Sequence, residues 1–365
     1  MKRIIFIVIA AFLTAFALVP LDSSAEYQGT EQDELVGDVD DILSDYGIGY
    51  SYGDISGLGF GEVMGRVADT VRSELSAPLR MLGSLLVVAV FTALMRSAGG
   101  SFIRSEGTAG LYDTVCLLTG MTVIVPQLMT VYGRALTAIE RMGGFISVFV
   151  PVFAAITAMS GGLASGGVYN VMVLAASEVF VQLSSQLLMP TVSVTTALAA
   201  SASLYASSAA ESISSLLKKV SVWGLTAAMT LFSGFVSLKC SIAAKADTAA
   251  TKTAKLVISG AVPLVGGAVS DAYAAVRGSL GVMRATVGAA GTVAIILIML
   301  PPVLEIMAFR LAMWTGAAAA DMMSAGSVSR LIKGMDSGLA IAQSVLICYG
   351  VIFVICTGIM MNVVD

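Results

Sequence analysis

From residue 79 onward this chain is built of apolar runs, each near the ~20 residues that a helix needs to cross a bilayer core. Such a pattern excludes a water-soluble globule. Charged residues are 12% of the 365 and hydrophobic residues 57%, whereas a soluble domain carries about 25% charged residues. The sequence therefore predicts an all-α, polytopic helical membrane protein with about 6–8 membrane segments, one or two of them broken or re-entrant.

The segments read as 79–95, closed by Arg96; 111–131, with Pro126 inside; 145–163; 168–189; a weak Ser/Thr-rich stretch, 191–208; 220–238; 287–307, carrying Pro301-Pro302; and 339–361. Two basic stretches, Arg96 to Arg104 and Lys239 to Lys255, should both be cytoplasmic under the positive-inside rule. Five candidate segments separate them, and an odd number of crossings would place them on opposite sides. On this count 191–208 does not cross, and is re-entrant or buried among other helices.

What precedes the membrane body differs in kind. Lys2 and Arg3 form a positive start, an apolar run follows to Val19, and Ser23-Ser24-Ala25 supplies small residues at a cleavage site. Residues 1–25 are expected to be a signal peptide; an uncleaved first helix is the alternative. Twelve of the 24 acidic residues then fall between Glu26 and Pro78. This segment, 26–78, is expected to be extracytoplasmic. Its stripes Val63, Val67, Val71 and Leu75 sit at helical spacing, for packing on the membrane body or on a partner. Residues 79–365 form the membrane domain.

Composition also limits chemistry. The chain has no histidine, which removes Ser-His-Asp and Cys-His catalysis and histidine metal sites. Its four cysteines, Cys116, Cys240, Cys348 and Cys356, have neither zinc nor disulfide spacing and read as small membrane-buried residues. No G-x-x-x-x-G-K-[ST] run is present, so no P-loop binds ATP. The basic loops lack interleaved aromatics, which argues against nucleic acid. An aspartyl intramembrane mechanism would need two facing carboxylates. The expectation is a non-enzyme with no catalytic residues, no cofactor and no metal.

Two places interrupt the helical pattern. One is Phe149-Val150-Pro151-Val152 leading into Ser160-Gly161-Gly162. The other is Ala261-Val262-Pro263-Leu264-Val265-Gly266-Gly267-Ala268-Val269-Ser270-Asp271-Ala272. Broken backbone at membrane depth tends to line a cavity, although Pro and Gly also serve kinks and close packing. Ionisable residues in apolar surroundings are the other candidates: Glu178, Asp271 and Glu305, with Arg277 and Arg310 as possible partners for the last two. Each marks a transport pathway or a structural pair.

The run Lys252-Thr253-Ala254-Lys255, followed by the second interruption, resembles the signature region of the stage III sporulation protein AE family. The resemblance covers most of the chain and is strongest from about Lys218 to Asp336. It implies a role in endospore formation and late forespore gene expression. The implied place is the mother-cell membrane around the forespore, in a channel complex with other stage III sporulation proteins, including a separate cytoplasmic ATPase and periplasm-side ring proteins. No catalytic residues are established for the family. A self-contained secondary transporter with a midplane site at the two interruptions is the alternative.

Overall fold

The computed structural model describes residues 76–102, 106–205, 208–261 and 266–362. Residues 1–25, expected to be a signal peptide, and nearly all of the acidic segment lie outside these residues, as do Val262, Pro263, Leu264 and Val265. The described residues form six helices: α1 (Ser76–Phe102), α2 (Glu106–Met159), α3 (Leu163–Tyr205), α4 (Ser208–Ala261), α5 (Gly266–Met322) and α6 (Gly326–Asn362). All six are long and apolar enough to cross a membrane, as the composition requires.

The helices are longer and fewer than the sequence segments. Segments 111–131 and 145–163 are one 54-residue helix, α2, which runs through Pro126 and Pro151. Both prolines face outward. Each removes one backbone hydrogen bond on the rim of the helix, and the flanking turns hold it. The polar stretch between the two segments forms no loop: it continues as helix, and Arg134 within it is paired with Glu305 of α5. The first interruption therefore does not begin at Pro151; the chain breaks only at Ser160-Gly161-Gly162.

Residues 191–208 are likewise not re-entrant. Up to Tyr205 they are the continuation of α3. Their hydroxyls bond back to the helix's own carbonyls, Thr195 to Thr191 O at 2.8 Å and Ser203 to Ala199 O at 2.7 Å, so a hydroxyl-rich segment stays helical. The two basic stretches also lie far apart along the molecule. A 54-residue α2 is about 80 Å long. The stretch at Arg96 to Arg104 precedes its start. The Lys239–Lys255 stretch packs beside its far end, where Asp247 meets Ala164 and Ser165.

Depth can be read from where charge stops. Residues 285–304 of α5 carry no charge and are bounded by Arg284 and Glu305, which makes about 30 Å, one hydrocarbon core. The uncharged stretches 142–159 of α2, 220–238 of α4 and 337–361 of α6 lie at the same level. Cross-contacts fix this register: a Cβ on Gly350 would meet Met299 and Met142, and one on Gly288 would meet Met361 and Phe153. α1 and the first half of α2 form an equally apolar hairpin on one side of this slab. There Leu85 meets Gly316, and Val88 and Leu331 meet Gly120.

The slab's centre is aromatic. Phe145, Phe149 and Phe153 recur every four residues on α2 and stack at 5.4 and 5.7 Å. Phe353 of α6 and Tyr169 of α3 close on them edge-on. This stack needs a partner helix that approaches closely, and α5 supplies it with Gly288 and Gly291. All four cysteines are buried and free.

Candidate functional site

Two polar constellations bound the slab, one at each face. The first assembles around Asp336, buried on α6. Arg310 of α5 donates from Nε to Asp336 Oδ1 at 2.8 Å and from Nη2 to Oδ2 at 3.4 Å, and its Nη1 reaches Gln343 Oε1 at 2.6 Å. Lys218 of α4 lies 4.0 Å from Asp336 Oδ2. The guanidinium also sits 5.2 Å from the Trp314 ring centre. Tyr132 of α2 and Thr195 of α3 crowd Gly338, two residues along. Arg134 and Glu305 pair next to this group, with Glu305 almost wholly buried.

Five of the helices thus contribute to one charged layer, which holds Arg134, Lys218 and Arg310 against Glu305 and Asp336. Its chemistry is that of a lock. A bidentate guanidinium–carboxylate pair at low dielectric is directional, so it fixes the height of α4, α5 and α6 relative to one another. Among the described residues, no group of three His, Cys, Asp or Glu could hold a metal.

The second constellation holds the turn between α2 and α3. Gly161 has φ +95°, which L side chains rarely adopt. Its neighbour Gly162 donates back to Thr157 O at 2.9 Å, and Gly161 to Ala158 O at 3.0 Å. This is the usual glycine ending of a helix. Two distant residues then complete it. Arg277 of α5 donates from Nε to Ser160 O at 2.8 Å, covering a carbonyl at the end of α2. Asp247 of α4 accepts from Ala164 N, Ser165 N and Ser165 Oγ at 2.8, 2.9 and 2.6 Å, capping the start of α3. An acid at a helix N-terminus and a base at a C-terminus each match the helix dipole. A side chain on Gly161 would strike the Arg277 guanidinium.

The structure distributes the sequence candidates as follows. Gly161 and Gly162 are the turn. Pro151 lies inside α2, on its outer face. Glu305 joins the charged layer, but its partner is Arg134, 171 residues away, and not Arg310; Arg310 belongs to Asp336. Arg277 is committed to Ser160. Gly266 and Gly267 open α5, while the side-chain surroundings of these and of Asp271 lie outside the described residues, as does Pro263. Glu178 is exposed on α3, bonded by Gln182 Nε2 at 2.7 Å. It joins neither constellation. The two interruptions differ in place. The first is a turn at one face of the slab, and the second falls between the end of α4 and the start of α5.

Asp247, Asp336, Lys218 and Arg134 were not singled out by sequence. Asp247 had a signal: it is the lone acid among the lysines of the Lys239–Lys255 stretch. The others sit where polar residues flank apolar runs, and nothing local marks them.

The family model described as stage III sporulation protein AE matches residues 51–363. A curated protein of Bacillus subtilis (strain 168) named Stage III sporulation protein AE is similar, with 22% identity over 255 residues, which cover 70% of this chain and 64% of that protein. The match thus spans less than two thirds of the relative's length. No solved structure matches.

Proposed function

The chain belongs to the stage III sporulation protein AE family, and from that premise we propose that it is the membrane component of a channel complex between mother cell and forespore. Its membership supports a role in sporulation. The observation that carries the finer reading is a polytopic helical body with charge-locked helices and no nucleotide motif. Such a chain is suited to be a membrane scaffold, with energy supplied by a separate cytoplasmic ATPase and with ring proteins docking on the extracytoplasmic side. In this reading the chain is not an enzyme and works in the mother-cell membrane surrounding the forespore. The transporter alternative finds less support, because the first interruption is a capped helix turn held by Arg277 and Asp247.

Affinity purification from sporulating cells tests the complex. The expected result is co-purification of an ATPase and of extracytoplasmic partners. Recovery of the chain alone, together with normal sporulation of cells that lack it, would overturn the reading. The break at Gly266-Gly267 offers a finer probe. Changing both to Leu should abolish spore formation while the protein still inserts, because insertion follows overall hydropathy. Normal sporulation by a stably expressed double variant would reduce this break to a packing detail.

Orientation is also testable. Thr248, exposed on α4 beside Asp247, lies at the lysine-rich face, which the positive-inside rule assigns to the cytoplasm. Thr248→Cys should resist a membrane-impermeant maleimide added to intact cells, and Ser51→Cys should react. Labelling of Thr248→Cys from outside would invert the topology.

A further inference from the structure

We infer that two copies of this chain pair in the membrane through the outer face of α3, each copy's Glu178, Gln182 and Gln186 hydrogen-bonding to the same residues of the other. The starting point is an outward-facing polar line at membrane depth. These three residues follow at four-residue spacing, so they share one face of α3, and all three are exposed. Their depth is set by the residue next to Glu178. Ser177 bonds the Tyr349 hydroxyl at 2.5 Å, and Tyr349 is at the middle of the uncharged stretch 337–361 of α6. Glu178 is therefore near the centre of the slab, and the line climbs from there toward the charged layer.

Lipid tails cannot accompany such a line. A carboxyl group at the bilayer centre is costly unless it is paired or hydrogen-bonded, and the bond from Gln182 leaves most of the capacity of these three groups to be met from outside the helix. The identity of the occupant follows from the groups themselves. Each carboxamide has two N–H donors and one carbonyl acceptor, and a carboxyl adds acceptors and, when protonated, a donor. The line is therefore complementary to itself. A twofold axis along the membrane normal would bring an identical line to the same depth with no further adjustment. A foreign helix would have to match three groups at three heights.

The flanks are suited to the same contact. Gly167 and Ala175, both exposed on this side of α3, let a second backbone come close. Beside the line, α3 and α4 border an open apolar groove of about 550 Å³, lined by Val171, Val179, Leu183, Phe232 and Phe235 among others. This groove would take the apolar ridge of the second copy.

Disulfide trapping in isolated membranes tests the pairing in the full-length chain, and it requires no sporulation readout. Single cysteines are placed at Ala175 and at Val179, with Val115→Cys on α2 as a surface-exposed control. A disulfide needs Cα atoms within about 7 Å, so mild oxidation should give roughly tenfold more covalent dimer at an α3 position than at Val115. Adding Glu178→Gln should leave the dimer intact, since the bonds remain, and adding Glu178→Leu should reduce it severalfold at equal protein levels. Dimer yields at α3 no higher than at Val115 would overturn the pairing. So would trapping of a different protein at these positions, an internal link to the acidic segment, or indifference to Glu178→Leu.

Discussion

Asp336→Leu is expected to remove most of the protein from the membrane, as an immunoblot at matched transcript level would show. The carboxylate is buried and answers both Arg310, at 2.8 Å, and Lys218, at 4.0 Å. Its loss leaves two cations facing each other in a low-dielectric layer. Breaking one side of a buried pair costs about 3–5 kcal/mol, because the remaining charge is uncompensated, whereas replacing both sides by apolar groups is often neutral. The double variant Arg310→Met with Asp336→Leu should therefore recover much of the lost protein, although Lys218 still lacks its acid. If Asp336→Leu accumulates to wild-type levels, or if the double variant is worse than the single one, the layer is not the lock described above.

Gly291→Val should be nearly as damaging, for a steric reason. A Cβ built on Gly291 runs into the ring of Phe149, in the middle of a stack that Phe145, Phe153 and Phe353 hold from three sides. The ring has nowhere to go, so the strain passes into the α2–α5 contact. Overpacking of a tight core typically costs about 1–3 kcal/mol for an added methyl group or two. The detergent-solubilised variant should lose its cooperative thermal transition or show it at a clearly lower temperature. Gly224→Val is the control, since a Cβ there meets nothing within 4 Å. Adding Phe149→Leu to Gly291→Val should restore part of the stability by giving space back. Equal melting of the Gly291 and Gly224 variants would show that α5 does not approach α2 as closely as described.

The class of molecule was legible in the chain itself. Apolar runs of bilayer length with few charges leave helices as the only way to satisfy the backbone in lipid, and six such helices are present among the described residues. The turn at Gly161-Gly162 was legible too, since paired glycines after an apolar run mark a helix end wherever the chain must enter the left-handed region. Glu305 could be recognised as an acid that needs a partner. Its partner could not be recognised. Arg310, five residues on, looked close, but on a helix five residues place a side chain on a different face, and only three or four bring two together. The same arithmetic separates Asp271 from Arg277, six apart.

What the tertiary structure alone decided is which charges meet and which helices do not stop. Arg134 reaches Glu305, Asp336 gathers Arg310 and Lys218, and Asp247 caps α3 across more than eighty positions of chain. These pairings depend on helix heights that no local pattern encodes. α2 is also continuous. Its polar middle reads as a loop when charge is taken as a sign of a chain break, but the helix carries its charges outward or, at Arg134, toward Glu305, and runs on. Local sequence determined that these residues form membrane helices; the long-range pairing of a few charges determined where each helix sits.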